Sequence, residues 1–336
     1  MINILVLGSR TVIGSEYIRS FSSEVRNFIF LDQEDTDIRN LISLEKIFEK
    51  ECPTYCINLV ELNDIRKCNF SPITAFDINE LGCKNVVHLC KKYDCKLIHI
   101  SSNQVFDGKK SSYYKESDDC NSVTIYGKTK NNSEKYVIEN LKEYVILRLP
   151  KVYGMHHDNF LLDMIETSKK TSEILVSFDF SDNYISAREV CKGIDSILEK
   201  GIYSSNSGIY HFSPKKSISD YDFFCEVFKI LNIPVNLIPS SFLEDFKTPE
   251  FLGMDSEKFS KEFNFEFKTW IRDLRSYLES FFVNTLKVGY IIKYKRKTYR
   301  VVSVDWYKKE AVISDLNTET ILLYYENEKY SIINAI

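Results

Sequence analysis

The first 150 residues alternate short apolar runs with amphipathic helical stretches, and this rhythm constrains the fold more than any other feature. Asn3–Leu7 is apolar and ends at Gly8, as a buried strand does. A helix follows over Gly14–Phe21, then a strand over Asn27–Leu31 that runs into Asp32. Leu41, Leu44, Ile47 and Phe48 share one face of a helix over residues 40–50, which Pro53 stops. Tyr55–Val60 reads as the third strand, and a long helix over about 72–93 turns Ile73, Phe76, Leu81, Val87 and Cys90 inward. Lys96–Ile100 is the fourth strand and Asp107–Asn121 a polar loop. A helix beginning near Tyr126 then leads to the strand Tyr144–Leu149. Strands separated by helices of this length imply βαβ units, right-handed crossovers and a doubly wound parallel sheet, an α/β fold.

After Gly154 the alternation loosens. Phe160–Lys169, Glu189–Leu198, Asp220–Leu231 and Trp270–Phe282 have helical spacing, and Gly208–Phe212 reads as a strand returning to the sheet. From about Thr285 the chain turns β-branched and aromatic, in the segments Gly289–Tyr294, Tyr299–Asp305, Ala311–Asp315 and Ile321–Tyr325. The expected organisation is a Rossmann-type dinucleotide-binding domain over 1–155 with returning segments near 184–212. A smaller substrate lobe spans 156–283, and an all-β, barrel-like module spans 285–336. That module carries nine Lys or Arg against six Asp or Glu, yet small barrels serve more often for docking or oligomerisation than for nucleic-acid binding. A homodimer contact or a protein partner is its expected role.

Composition narrows the function classes. Over 336 residues, 44 Lys and Arg face 48 Asp and Glu, a balance that does not point to nucleic acid or a membrane surface as partner. No apolar run reaches the roughly 18 residues of a membrane span. Met1–Gly8 has neither a basic start nor a small-residue cleavage site, so the expected location is the cytoplasm. The nine cysteines include no Cys-x-x-Cys and no His at zinc-ligand spacing, which fits reduced, buried thiols and no metal site. Of the histidines, His88 and His99 lie on apolar faces as core residues, and His156-His157 reads as a solvated loop pair.

Two motifs carry chemistry. Gly8-Ser9-Arg10-Thr11-Val12-Ile13-Gly14 joins the first strand to the first helix, where glycines permit a sharp turn and the helix N-terminus offers N–H groups to a pyrophosphate. Thr11 stands where a third glycine allows the closest cofactor approach. Asp32, ending the second strand, suits ribose hydroxyls and hence NAD, whereas Arg10 suits a 2′-phosphate and hence NADP, so the choice stays open. The second motif is Tyr126-Gly127-Lys128-Thr129-Lys130. Its spacing puts a phenol and an ammonium on one helix face. A phenol titrates near about 10 in the absence of neighbours, and an adjacent ammonium lowers that value and eases proton exchange with a carbonyl.

The context of that pair is Leu97-Ile-His-Ile-Ser101-Ser102-Asn103-Gln104-Val-Phe-Asp-Gly108, a buried strand ending in hydroxyl residues. With Ile146-Leu-Arg-Leu-Pro-Lys-Val-Tyr-Gly154, Ile78-Asn79-Glu-Leu-Gly82, Gly208-Ile-Tyr-His211 and Met254-Asp-Ser-Glu-Lys-Phe259, the chain over about 1–282 resembles the extended short-chain dehydrogenase/reductases. Among them it most resembles the dTDP-4-dehydrorhamnose reductases. The resemblance implies that Ser102 polarises a substrate carbonyl, Tyr126 donates the proton and Lys130 binds the nicotinamide ribose and tunes Tyr126. It also puts Gly8 to Gly14 at the pyrophosphate, Asp37 and Ile38 beside the adenine, and Leu59, Val60 and Glu61 along the cofactor. Asn63, Gln104, Lys151 and Asn159 would face substrate. The implied reaction is reduction, by NADH or NADPH, of a keto carbon on a nucleotide-linked sugar.

The chain departs from that pattern in places. Asn58-Leu59-Val60-Glu61 replaces a run of small residues and brings a carboxylate toward the expected cofactor phosphates. Gln104 stands for a substrate-facing Tyr, and Lys151 for a Trp. A second reading therefore stays open, a non-catalytic binding subunit similar to the β subunit of methionine adenosyltransferase. A third, an epimerase or dehydratase of the same superfamily, is disfavoured because Asn103-Gln104, not an acidic pair, follows Ser102.

Overall fold

The computed structural model describes residues 2–20, 25–155, 159–241, 249–282, 291–295, 297–305, 310–314, 320–324 and 330–334. His156 and His157 lie outside the described residues. The chain divides into two units, Met1–Leu274 and Arg275–Ile336.

The first unit opens with β1 (Ile2–Leu7), α1 (Val12–Ser20), β2 (Arg26–Leu31), α2 (Leu41–Glu51) and β3 (Tyr55–Asn58). Short helices α3 (Ile65–Phe70) and α4 (Pro72–Phe76) follow, then a π-turn over Asp77–Leu81 and α5 (Gly82–Lys92). Next come β4 (Lys96–Ser102), a 3-10 turn over Asn103–Val105, α6 (Ile125–Asn140) and β5 (Tyr144–Leu149). The rest of the unit comprises β6 (Lys151–Tyr153), α7 (Phe160–Ser168), β7 (Glu173–Ser177), β8 (Ser181–Asp182), β9 (Tyr184–Ser186), α8 (Ala187–Lys200), β10 (Gly208–His211), β11 (Ile218–Ser219), α9 (Asp220–Leu231), β12 (Asn236–Ser240), α10 (Glu257–Phe263) and the start of α11 (Trp270–Phe282).

Six strands pair in parallel in the order β10-β5-β4-β3-β1-β2. The chain reverses direction across the sheet between β1 and β3, the crevice where ligands bind in such folds. Alternation within the strands decides the layers. Ile4, Val6, Ile57, Ile98, Ile100, Val145 and Leu147 pack on one face against Ile13 and Tyr17 of α1 and Val190, Ile194 and Ile197 of α8. Leu5, Leu7, Cys56, Leu97 and Ile146 pack on the other against Leu44 and Phe48 of α2, Val86, Val87 and Leu89 of α5, and Val137 of α6. Each fully buried aliphatic side chain contributes about 1.5–3 kcal/mol.

The long helix expected over 72–93 is interrupted. At the π-turn the Gly82 N–H bonds Asp77 O, five residues back, and the extra residue rotates the apolar face. Leu81 is consequently 45% exposed, and Ile73, in the short α4, is 78% exposed. The turn is used: Asn79 is buried, takes Leu62 N at 2.7 Å and gives to Thr129 Oγ1 at 2.9 Å. His99 is buried against Asn58, whereas His88 is exposed, contrary to its expected place in the core. All nine cysteines are free thiols, Cys52 exposed and six buried. No described helix is long and apolar enough to cross a membrane.

The described strands of the second unit are β13 (Ile291–Tyr294), β14 (Lys297–Asp305), β15 (Glu310–Ser314), β16 (Thr320–Tyr324) and β17 (Tyr330–Asn334). They form one antiparallel sheet, a meander from β13 to β16 with β17 added beside β13. Register shifts at Val301/Ser303 and Ile291/Ile292 bend it.

Candidate active site at the carboxyl ends of the strands

The glycine loop sits at the end of β1. Gly8 has φ +91, and a Cβ on it would lie 3.1 Å from Leu59 C and 3.2 Å from Val60 N. A Cβ on Gly14 would meet Gly8 O at 2.3 Å, so strand and helix approach as only glycine permits. Thr11 closes this loop: its Oγ1 donates to Gly8 O at 2.8 Å and accepts from Gly14 N at 3.1 Å. One helix N–H is thereby satisfied within the chain. Val12 and Ile13 open α1, where the first N–H groups have no intrahelical acceptor.

Beside the loop, Arg10 forms two bonds to Glu34 at 2.6 and 2.7 Å, and its Nε lies 3.2 Å from Asp32. Asp35 accepts from Asp32 N at 2.8 Å. Asp37 pairs with Arg39 at 2.6 Å, and that hydrogen bond holds its carboxyl below the usual range. Ile38 is buried in the core beside Gly82 rather than presented to solvent.

The second half of the site is built from β3, β4 and α6. Thr124 caps α6 by accepting from Gly127 N at 3.0 Å. A Cβ on Gly127 would come within 1.8 Å of Gln104 O, so the glycine of the Tyr-Gly-Lys motif lets α6 dock on the end of β4. Tyr126 and Lys130 then project together one turn apart, 5% and 1% exposed. Ser102, buried beside them, caps the 3-10 turn by accepting from Gln104 N at 3.2 Å, and its own hydroxyl donates to Asn103 Oδ1 at 3.5 Å. Lys130 donates to Ile100 O at 2.6 Å.

Glu61 completes the cluster. Its carboxylate, expected near the cofactor phosphates, accepts from the Tyr126 phenol at 2.9 Å and faces the Lys130 ammonium at 3.0 Å. Burial first, then the charge and hydrogen bond of Glu61, hold the Tyr126 proton well above the usual phenol range, while Ser102 acts in the opposite sense. His99 is kept neutral by burial and by the Lys130 charge.

From Ser102 a polar chain continues through Asn103 toward β8. Asn103 donates to Asp182 at 2.6 Å, and burial pushes that carboxyl up to about 7. Lys151 pairs with Asp220, and both that acid and Asp182 raise its ammonium against the opposing effect of burial. Gln104 leaves its Oε1 buried without a hydrogen-bond partner among the described residues. Asn63 is exposed in the segment between β3 and α3. Asn159 caps α7, taking Leu161 N at 3.0 Å and giving to Gly154 O at 2.9 Å, so both ends of its amide serve the fold. Sequence reasoning missed Asn79, Asn103, Thr124, Gly127 and Asp182. Asn79, Asn103 and Gly127 stood in the quoted motifs without a role, Thr124 is a residue type favoured as a helix cap, and Asp182 carried no signal.

Ser102, Tyr126, Lys130 and Glu61 thus converge, with the glycine loop adjoining Leu59 and Val60. Such a set can donate a proton to an oxygen and bear the resulting charge. Over residues 2–283 the chain matches the family model described as the RmlD substrate binding domain. It is 25% identical over 294 residues to a dTDP-4-dehydrorhamnose reductase of Aggregatibacter actinomycetemcomitans, covering 83% of this chain and 100% of that one. Its fold is similar to a dTDP-4-dehydrorhamnose reductase of Clostridium acetobutylicum, with TM-score 0.78, 26% identity, and 83% and 99% of the two chains covered. It is also similar to the Bacillus anthracis reductase solved in complex with NADP, with TM-score 0.79, 23% identity and the same coverage.

Proposed function

The chain belongs to the RmlD substrate binding domain family, and from that premise we propose that it reduces a keto group on a nucleotide-linked sugar with a reduced nicotinamide cofactor. The observation that carries the proposal is the convergence of Tyr126, Lys130 and Ser102 at the end of β4, beside a glycine loop that only glycines allow. The relatives named above act on a dTDP-linked keto sugar, which sets the substrate class.

The glycine loop suits the phosphate end of the cofactor, where the start of α1 presents N–H groups without intrahelical acceptors, and Asp32 suits its adenosine end. A bound reduced nicotinamide supplies the hydride. Ser102 turns its hydroxyl from Asn103 to the substrate oxygen, Tyr126 protonates that oxygen, and Lys130 balances the phenolate left behind. Gln104 offers its unsatisfied Oε1 to a sugar hydroxyl, and Lys151 with Asp220 forms a charged wall where the reductase pattern has an aromatic one.

The adenosine end favours NADH over NADPH. Arg10 already bears two carboxylates, Asp32 and Glu34, with Asp35 adjacent, so local charge is negative and repels a 2′-phosphate. The proposed setting is the cytoplasm, with self-association or a protein partner taken by residues 285–336.

Purified protein mixed with NADH or NADPH and a panel of 4-keto nucleotide sugars tests this reading. We expect cofactor oxidation with NADH preferred, and a loss of about 10³-fold in turnover for Tyr126→Phe. A preference that narrows by about tenfold in Asp32→Asn/Glu34→Gln confirms the selectivity argument. No turnover, weak cofactor binding and co-purification with a larger enzyme would instead establish the binding-subunit reading.

A further inference from the structure

The Tyr126–Lys130 pair has an occupant of its own. A single oxygen of Glu61, Oε2, takes the phenol at 2.9 Å and the ammonium at 3.0 Å. The two donors stand one helical turn apart on α6, while the acceptor comes from the segment after β3, 65 residues earlier in the chain. Exposure is uneven: the Lys130 side chain is 1% exposed and that of Glu61 is 16%. The ammonium is therefore fixed in the interior, and the carboxylate is the member with a way out.

We propose that Glu61 is an internal counter-ion that ties up Tyr126 and Lys130 in the free protein and turns away when a nicotinamide ribose and substrate take their places. The proposal rests on the ketoreductase reading and assigns Glu61 as a positioning residue. A buried ammonium needs a compensating charge, and here the chain provides it at the groups that the reaction uses. Groups facing the phenol come from four elements. Glu61 lies in the segment after β3, and Ser102 ends β4. Cys68 sits on α3 with its N-cap Asp64 behind it, and Lys130 is on α6. Glu61 and Cys68 oppose ionisation of the phenol, and Ser102 favours it. With the carboxylate in place, Tyr126 is a poor acid. With it withdrawn, the strongest charge opposing ionisation of the phenol is gone and the Lys130 charge is no longer neutralised.

Glu61→Gln preserves size and hydrogen bonding while removing the charge, and Glu61→Asp keeps the charge but draws it back by one methylene. Two readouts suffice: the titration of the Tyr126 ring carbon bearing the hydroxyl, followed by NMR of isotope-labelled tyrosine and assigned with Tyr126→Phe, and the calorimetric affinity for NADH. In Glu61→Gln the Tyr126 titration is expected to fall by about one pH unit or more. NADH is expected to bind about tenfold tighter, with Glu61→Asp between the two. An unchanged Tyr126 titration in Glu61→Gln overturns the proposal, as does a parent protein that binds NADH while Glu61→Gln binds it no tighter. A displaced titration with no NADH binding in any variant upholds the counter-ion and overturns the ketoreductase reading.

Discussion

The two halves of the site are built on different physics. At the glycine loop the determinants are steric: Gly8 at φ +91, Gly14 with no room for a Cβ, and Thr11 clasping the turn with its hydroxyl. At the end of β4 they are electrostatic: one carboxylate in contact with both a buried ammonium and a phenol. In the first half volume decides; in the second, charge decides among Glu61, Tyr126 and Lys130, while the seat of α6 at Gly127 is again steric. Substitutions that preserve one property and alter the other therefore separate the two.

The largest stability effect is expected from Gly14→Ala, whose Cβ would sit 2.3 Å from Gly8 O. Backbone would have to move, at a cost of about 2–3 kcal/mol in denaturant unfolding, together with weakened cofactor binding. Gly127→Ala, with its Cβ 1.8 Å from Gln104 O, should cost a similar amount. It should also lower turnover, because it lifts Tyr126 away from Ser102. If Gly14→Ala melts like the parent protein, the steric half of the comparison is wrong, and if Gly127→Ala does, α6 is not seated by its glycine.

A smaller effect per pH unit comes from the buried carboxyl at the far end of the polar chain. Asp182 titrates near about 7 in the fold because of burial, against about 3.9 when unfolded. Between those values the folded state binds the extra proton. Asp182 then contributes a stability that declines as pH rises, by at most about 1.4 kcal/mol per pH unit. Asp182→Asn should flatten the dependence of unfolding free energy on pH between about 4 and 7. A parent protein and variant with parallel pH profiles would exclude this origin.

The smallest is Thr11→Ala, which removes an acceptor for Gly14 N and a donor to Gly8 O. A loss of about 1 kcal/mol is expected in thermal or denaturant melts, comparable to losing a helix cap. A loss several times larger would mean that Thr11 does more than clasp the loop.

The alternation of strands and helices was legible because burial on both faces of a parallel sheet leaves continuous apolar runs, as in Ile4–Leu7 and Leu97–Ile100. The π-turn at Asp77–Leu81 was not, since one inserted residue leaves composition unchanged while shifting the apolar face, as exposed Leu81 shows. Tyr126 and Lys130 were legible from a spacing of four within one helix. The partner of both was not: Glu61 stood out as a departure, but 65 intervening residues hide which groups its carboxylate meets. Asn103 and Asp182, 79 apart, are joined only by the fold. Local periodicity reports elements, whereas charge balance across elements requires the tertiary structure.

The central claim is that Tyr126, Lys130 and Ser102 protonate a sugar oxygen while a nicotinamide cofactor delivers hydride. Incubation with a dTDP-linked 4-keto sugar and NADH deuterated at the transferring position tests it directly, read by mass spectrometry of the product. The account predicts deuterium on the reduced carbon with the parent protein, and product formation cut by about 10³-fold with Tyr126→Phe. Cofactor binding without any transfer of label to any 4-keto nucleotide sugar would contradict it.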